Sequence, residues 1–192
     1  MRPKAFNPEQ VIEKAMYAFW EKGYTATSMN DLVEAMGIHR GSLYNTFGDK
    51  QALFRAAIAH YNRTVVTQAI AHLESPTASK QAIVDTFYEF VYQAANDPCQ
   101  RGCLLTNTAV EFGSQDPDFA KQLTLDFQRI EDALYGALVR AQQLQELAAD
   151  KQPRAIARYL ITCLHGIRVT SKVNPDLDAL TDTIKIALSA LD

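Results

Sequence analysis

Apolar side chains recur at intervals of three and four along most of the chain, the spacing that gathers them on one face of a helix. Val11, Ile12, Ala15 and Phe19 form the first such stripe. Asn7-Pro8-Glu9-Gln10 precedes it as an N-cap, a proline tolerated in a first helical turn, and a capping-box partner, and Gly23 stops it. Ser28-Met29-Asn30-Asp31 is a second start of the capping-box kind. Leu32, Val33, Ala35 and Met36 run from it to Gly37, a helix of only about two turns. After Ile38 another short segment, residues 39–47, closes at Gly48-Asp49-Lys50. Two short helices around a glycine-bearing turn have the proportions of a helix-turn-helix.

From Asp49 the pattern lengthens. Leu53, Phe54, Ala57, Ile58, Tyr61, Val65, Ile70 and Leu73 hold one face until Ser75-Pro76 breaks it. Further helices are expected at about 77–95, 103–112, 117–147, 153–172 and 175–191, with Asp116-Pro117 and Asn174-Pro175 repeating the cap-then-proline signature. No strand pattern and no internal repeat emerges. The expectation is an all-α chain of about nine helices: a three-helix N-terminal domain over residues 1–52, then a larger helical domain over 53–192.

Composition narrows the function classes. At 47% apolar and 21% charged residues the chain reads as a soluble globular protein, and no apolar run approaches the roughly 20 residues that cross a bilayer. The N-terminus carries two bases, Arg2 and Lys4, but lacks the apolar stretch of a signal peptide, so a cytoplasmic location without membrane contact is expected. Three cysteines form no disulfide framework, and Cys99 and Cys103 lack nearby partners at metal-ligand spacing. Neither a metal nor another cofactor is called for. Catalysis is not expected either: Cys163 and His165, two apart on a presumed helix, point to different sides.

A net charge of −3 rules out a surface coated in positive charge, so any nucleic-acid binding has to be local. Residues 1–63 carry 8 Lys/Arg against 6 Asp/Glu, and the remainder 11 against 16. The third segment has the donors such a site needs. Arg40 opens it with a fork that can bond guanine O6 and N7, and Ser42, Asn45 and Thr46 are shorter base readers or phosphate donors. Gly41 lets a backbone come close to DNA, while Leu43 and Phe47, four apart, face inward.

The run Gly37-Ile38-His39-Arg40-Gly41-Ser42-Leu43-Tyr44-Asn45-Thr46-Phe47-Gly48-Asp49-Lys50 resembles the recognition-helix segment of TetR-family repressors. Gly23-Tyr24-Thr25-Ala26-Thr27-Ser28-Met29-Asn30-Asp31-Leu32 is similar to that family's approach to the motif. The resemblance implies that Tyr44 and Lys50 bind phosphate and that Ser28 and Asn30 add contacts from the preceding helix. His39 departs from the small or polar residue often found there and is expected to read a base or touch phosphate. A regulator of this type is expected to bind double-stranded operator DNA as a homodimer and to be released by a small-molecule or reactive inducer. The rival reading is a helical protein–protein adaptor without DNA binding.

In the larger domain two apolar stripes are candidates for dimerisation: Ile156, Leu160, Leu164 and Ile167, and Leu177, Leu180, Ile184 and Leu188. The alternative is that they serve the subunit's own core. Phe87 and Phe127 are candidate walls of a sensing pocket, with Asn107, Glu111 and His165 as candidate polar anchors; the alternative is that the aromatics are core and the polar residues structural or surface. The segment Arg101–Ala109 resembles one branch of the family in which some members sense oxidants or electrophiles through cysteine. Cys103, at a helix start beside Arg101, is a candidate sensor, because a positive helix end and a cation both favour the reactive thiolate; the alternative is an inert cysteine that only packs.

Overall fold

A computed structural model describes residues 6–192 of the chain. Arg2 and Lys4, the bases noted at the N-terminus, lie outside the described residues. Among the described residues the structure is helical without a strand. The first helices are α1 (Pro8–Lys22), α2 (Met29–Met36), α3 (Arg40–Phe47) and α4 (Lys50–Tyr61). A π-helical turn, Asn62–Val66, continues α4 into α5 (Thr67–Glu74). Then come α6 (Lys80–Ala95), α7 (Leu104–Phe112), α8 (Pro117–Gln143), α9 (Pro153–Thr170) and α10 (Leu177–Leu188), which ends in a 3-10 turn. With α4 and α5 counted as one run, the described residues hold the nine helices expected.

The chain divides into two compact units, one ending at Val65 and one spanning Val66–Asp192. This break lies later than the one expected after residue 52, because α4 packs along α1 and completes the first core. Val11, Ala15, Met16 and Phe19 of α1 are buried there with Leu32, Met36, Leu43, Leu53, Phe54, Ala57 and Ile58. Phe19 meets Phe54 edge-on at 4.8 Å between ring centroids. In the second unit the 27-residue α8 packs against α5, α6, α7 and α9, while α10 covers α6 and α9.

Side-chain caps start five of the α-helices among the described residues: α1, α2, α4, α8 and α10. Asn7 accepts from the Glu9 amide (3.0 Å), and Asp116 accepts from Asp118 and Phe119 (3.0 and 3.1 Å), with a proline following each cap. The signature at Asn174-Pro175 has a different outcome. Asp176, one residue past the proline, takes the amide of Ala179 (2.8 Å), and α10 starts at Leu177. An aspartate after proline outcompetes the asparagine before it because its carboxylate both accepts the bond and complements the positive helix end.

The two apolar stripes serve the subunit's own core. Ile156, Leu160, Leu164 and Ile167 of α9 and Leu180, Ile184 and Leu188 of α10 are all buried within one chain; only Leu177 of that set is exposed. The outward faces of these helices carry other residues: Tyr159 and Val169 on α9, Ile186 on α10, and Val173 between them, with Ile186 73% and Val173 85% exposed.

Candidate nucleic-acid interface

The first unit presents α3 through three local devices. A reciprocal capping box starts α2: Ser28 accepts from the Asp31 amide (3.1 Å) and the Asp31 carboxylate accepts from the Ser28 amide (2.7 Å). Lys22 at the end of α1 donates to the same carboxylate at 2.7 Å. That bond, then those from Ser28, holds Asp31 far below the usual carboxylate range. Gly37 ends α2 in the left-handed conformation, φ 67°, which reverses the chain tightly enough for α3 to follow after two residues. Leu43, fully buried, then pins α3 to the core.

That pin decides which side chains face out. Arg40, Gly41, Tyr44 and Asn45 share the exposed side of α3, one turn apart, while Leu43 points inward and Ser42, Thr46 and Phe47 are half-buried at the edge. His39, the N-cap, is exposed and gives the helix no side-chain cap. The side chains of His39, Ser42, Asn45 and Thr46 form no hydrogen bond or ion pair with other described residues. Arg40 lies over the Tyr44 ring with 5.9 Å between guanidinium carbon and ring centre. A side chain added at Gly41 would meet nothing within 4 Å.

Asp49 caps α4 by accepting from Ala52 (2.7 Å), leaving Lys50 as that helix's first residue. Asn30 is exposed on α2. Ser28 is exposed as well, but its hydroxyl proton goes to Asp31, so a phosphate would have to compete for it. Thr27, whose side chain is fully buried, was not foreseen as a structural latch. Its hydroxyl donates to the carbonyl of Gly23 and ties the end of α1 to the start of α2. Its position four residues after the glycine that stops α1 is the sequence signal it leaves.

The expected sensing residues fall into separate places in the second unit. His165 on α9 and Phe127 on α8 meet with ring centroids 4.5 Å apart, and His165 Nδ1 lies 3.3 Å from the Thr106 hydroxyl on α7. Burial pushes the imidazole below its ordinary range, which favours the neutral ring. Thr106, buried and aimed at His165, was missed because nothing in the sequence distinguishes it from a helical threonine bonded to its own backbone. Asn107 instead donates to the Arg101 carbonyl (2.9 Å), where Lys172 also arrives (3.2 Å). Phe87 is core, packed near Phe90 on α6, and Glu111 is half-buried near the end of α7.

Cys103 is the N-cap of α7 and half-buried, and its side chain makes no capping bond. Arg101, the cation expected to act on it, forks onto Asp97 at 3.0–3.2 Å. A groove of about 510 Å³ between α5 and α8 is lined by Leu73, Glu74, Leu125, Arg129 and Arg140 among others, and by none of the expected sensing residues. Among the described residues no cluster of three metal-ligating side chains occurs, and no helix is long and apolar enough to cross a membrane.

Residues 11–57 match the family model described as bacterial regulatory proteins, tetR family, and residues 78–187 match that of a tetracyclin repressor-like C-terminal domain. The chain is 35% identical over its whole length, and 99% of the relative's, to the HTH-type transcriptional regulator YezE of Bacillus subtilis (strain 168). It is 28% identical to the HTH-type transcriptional repressor ComR of Escherichia coli (strain K12), covering 93% of this chain and 86% of that one. Among solved structures it is similar to a cysteine mutant of the TetR family regulator CifR complexed with 26-bp double-strand operator DNA. There the TM-score is 0.88 at 28% identity, with both chains fully covered.

Proposed function

The chain belongs to the TetR family of bacterial regulatory proteins, and we propose that it is a transcriptional repressor that holds double-stranded operator DNA with α3 and releases it on a signal received by the larger unit. The observation that carries this reading is the exposed side of α3: an arginine, a tyrosine and an asparagine around an unobstructed glycine, with neighbouring polar groups that bond to no other described residue. Such a face suits the major groove, where base edges supply the missing acceptors. The named repressor among the relatives and the operator DNA in the CifR complex support it.

Arg40 is assigned to a guanine edge, Asn45, Ser42 and Thr46 to bases or phosphates at the helix flank, and Gly41 to the closest backbone approach. Tyr44 and Lys50 take phosphate, and His39, Asn30 and Ser28 lie at the margins of the same contact. Two such helices are needed, spaced for successive turns of one duplex face, about 34–36 Å. A homodimer supplies them. Its interface is assigned to the outward faces of α9 and α10, where Tyr159, Val169, Val173, Leu177 and Ile186 leave apolar surface that a second copy would cover.

The signal is proposed to be a small molecule or an electrophile acting in the second unit, with Cys103 as the reactive candidate and the His165–Phe127–Thr106 contact as a polar-aromatic anchor. Whatever its identity, it has to bind the DNA-free arrangement more tightly than the DNA-bound one, since equal affinity shifts nothing. The test is selection of duplexes from a random pool by the purified chain, followed by footprinting. The expected product is an inverted repeat protected on one face. Recovery of no enriched duplex at low ionic strength would favour the adaptor reading.

A further inference from the structure

We infer that Tyr24 is a positioning residue for the phosphate contact of Lys50: its ring face holds the lysine ammonium in place before DNA arrives. The Lys50 Nζ sits 4.2 Å from the centre of the Tyr24 ring, well inside the range where a cation feels the negative face of an aromatic ring. The ring itself is held from behind. Phe54 of α4 lies 5.0 Å from it, and Phe19 of α1 stacks 6.1 Å away, nearly parallel at 17°. Both phenylalanines are buried. Core packing therefore extends through Tyr24 to the surface and ends at a charge.

The placement has a physical consequence for binding. A lysine has four rotatable bonds, and a free one loses that freedom when it meets a phosphate. Lys50 starts α4 directly after the turn that ends the recognition helix, so its backbone is already fixed by the Asp49 cap. The aromatic face fixes the far end as well. The side chain then meets the phosphate with less to lose, and the ring remains as a wall that directs the ammonium. An aliphatic residue at 24 would fill the same core without attracting the charge.

This inference rests on the DNA-binding reading, and the experiment separates the two. Affinity for a duplex recovered by the wild-type chain is measured by fluorescence anisotropy for Tyr24→Leu, Tyr24→Phe, Lys50→Ala and the double variant Tyr24→Leu/Lys50→Ala, with thermal unfolding of each. Tyr24→Leu is expected to weaken binding about two- to fivefold, the range of an exposed cation–π contact. Tyr24→Phe recovers most of that loss. In the Lys50→Ala background Tyr24→Leu costs nothing further, since the residue through which it acts is gone. An equal loss in both backgrounds makes Tyr24 merely structural and overturns the inference. A second readout needs no DNA: in the free protein the Lys50 ε-methylene protons should be shifted upfield by the ring current, retained in Tyr24→Phe and lost in Tyr24→Leu. Unshifted protons overturn the positioning whatever the DNA result, while shifted protons in a protein that binds no duplex overturn the DNA-binding reading and with it the role assigned here.

Discussion

Gly41→Ala should move stability and operator affinity in opposite directions. Within a helix, glycine is less favourable than alanine by roughly 0.5–1 kcal/mol, because its backbone loses more freedom on folding. Gly41 is the second residue of α3, close to the end, so the lower figure applies. Nothing in the fold requires the glycine: a methyl there would meet no atom within 4 Å, and the residue is not among those with positive φ. The variant should therefore gain about 0.5 kcal/mol in urea unfolding followed by circular dichroism, or about 1–2 °C in Tm. Against DNA the same methyl would stand where the backbone approaches most closely. Crowding a well-packed contact costs about 1–3 kcal/mol, which predicts an affinity loss of about fivefold or more by anisotropy titration. Unchanged affinity with raised stability would mean that α3 does not face the duplex with this side. Lower stability would refute the claim that the space is open.

Two neighbours on the same helix should separate the two assays again. Leu43→Ala removes a fully buried side chain and should cost about 2–5 kcal/mol of unfolding free energy, whereas exposed Asn45→Ala should leave unfolding unchanged within about 0.5 kcal/mol and weaken operator binding. A loss of DNA binding in Leu43→Ala without any loss of stability would contradict its inward placement. Asp31 is held low by Lys22 and Ser28 in the folded chain, so its contribution is present above the unfolded value near pH 4 and fades as pH falls through the folded value. The Tm difference between wild type and Asp31→Asn should accordingly shrink between pH 6 and pH 3, and a constant gap would count against the ion pair. Cys103→Ser should stay on operator under N-ethylmaleimide while wild type lets go; equal behaviour would remove Cys103 from the signal path.

Features written in local chemistry were legible from the chain alone. The caps at Asn7, Ser28 and Asp116 and the stop at Gly37 depend on residues within one turn of each other, so spacing reveals them. The polar face of α3 was readable for the same reason, since eight residues with one buried leucine have only one way to lie on a core. What depends on distant partners was not. The apolar stripes of α9 and α10 looked like an interface because periodicity marks a buried face without saying what buries it; the subunit's own helices do. The contact of Lys50 with Tyr24, 26 positions apart, and the π turn at residues 62–66 leave no periodic trace.

The central claim is that α3 reads a duplex through the major groove with Arg40 on a guanine. Dimethyl sulfate methylates guanine at N7, in that groove, so protection of selected operator DNA against methylation reports the contact directly. The account predicts one guanine protected in each half-site, symmetrically placed about one helical turn apart, with that protection lost in Arg40→Ala while the complex still forms at low salt. Guanines that stay reactive throughout the bound operator, or protection that survives in Arg40→Ala, would contradict it.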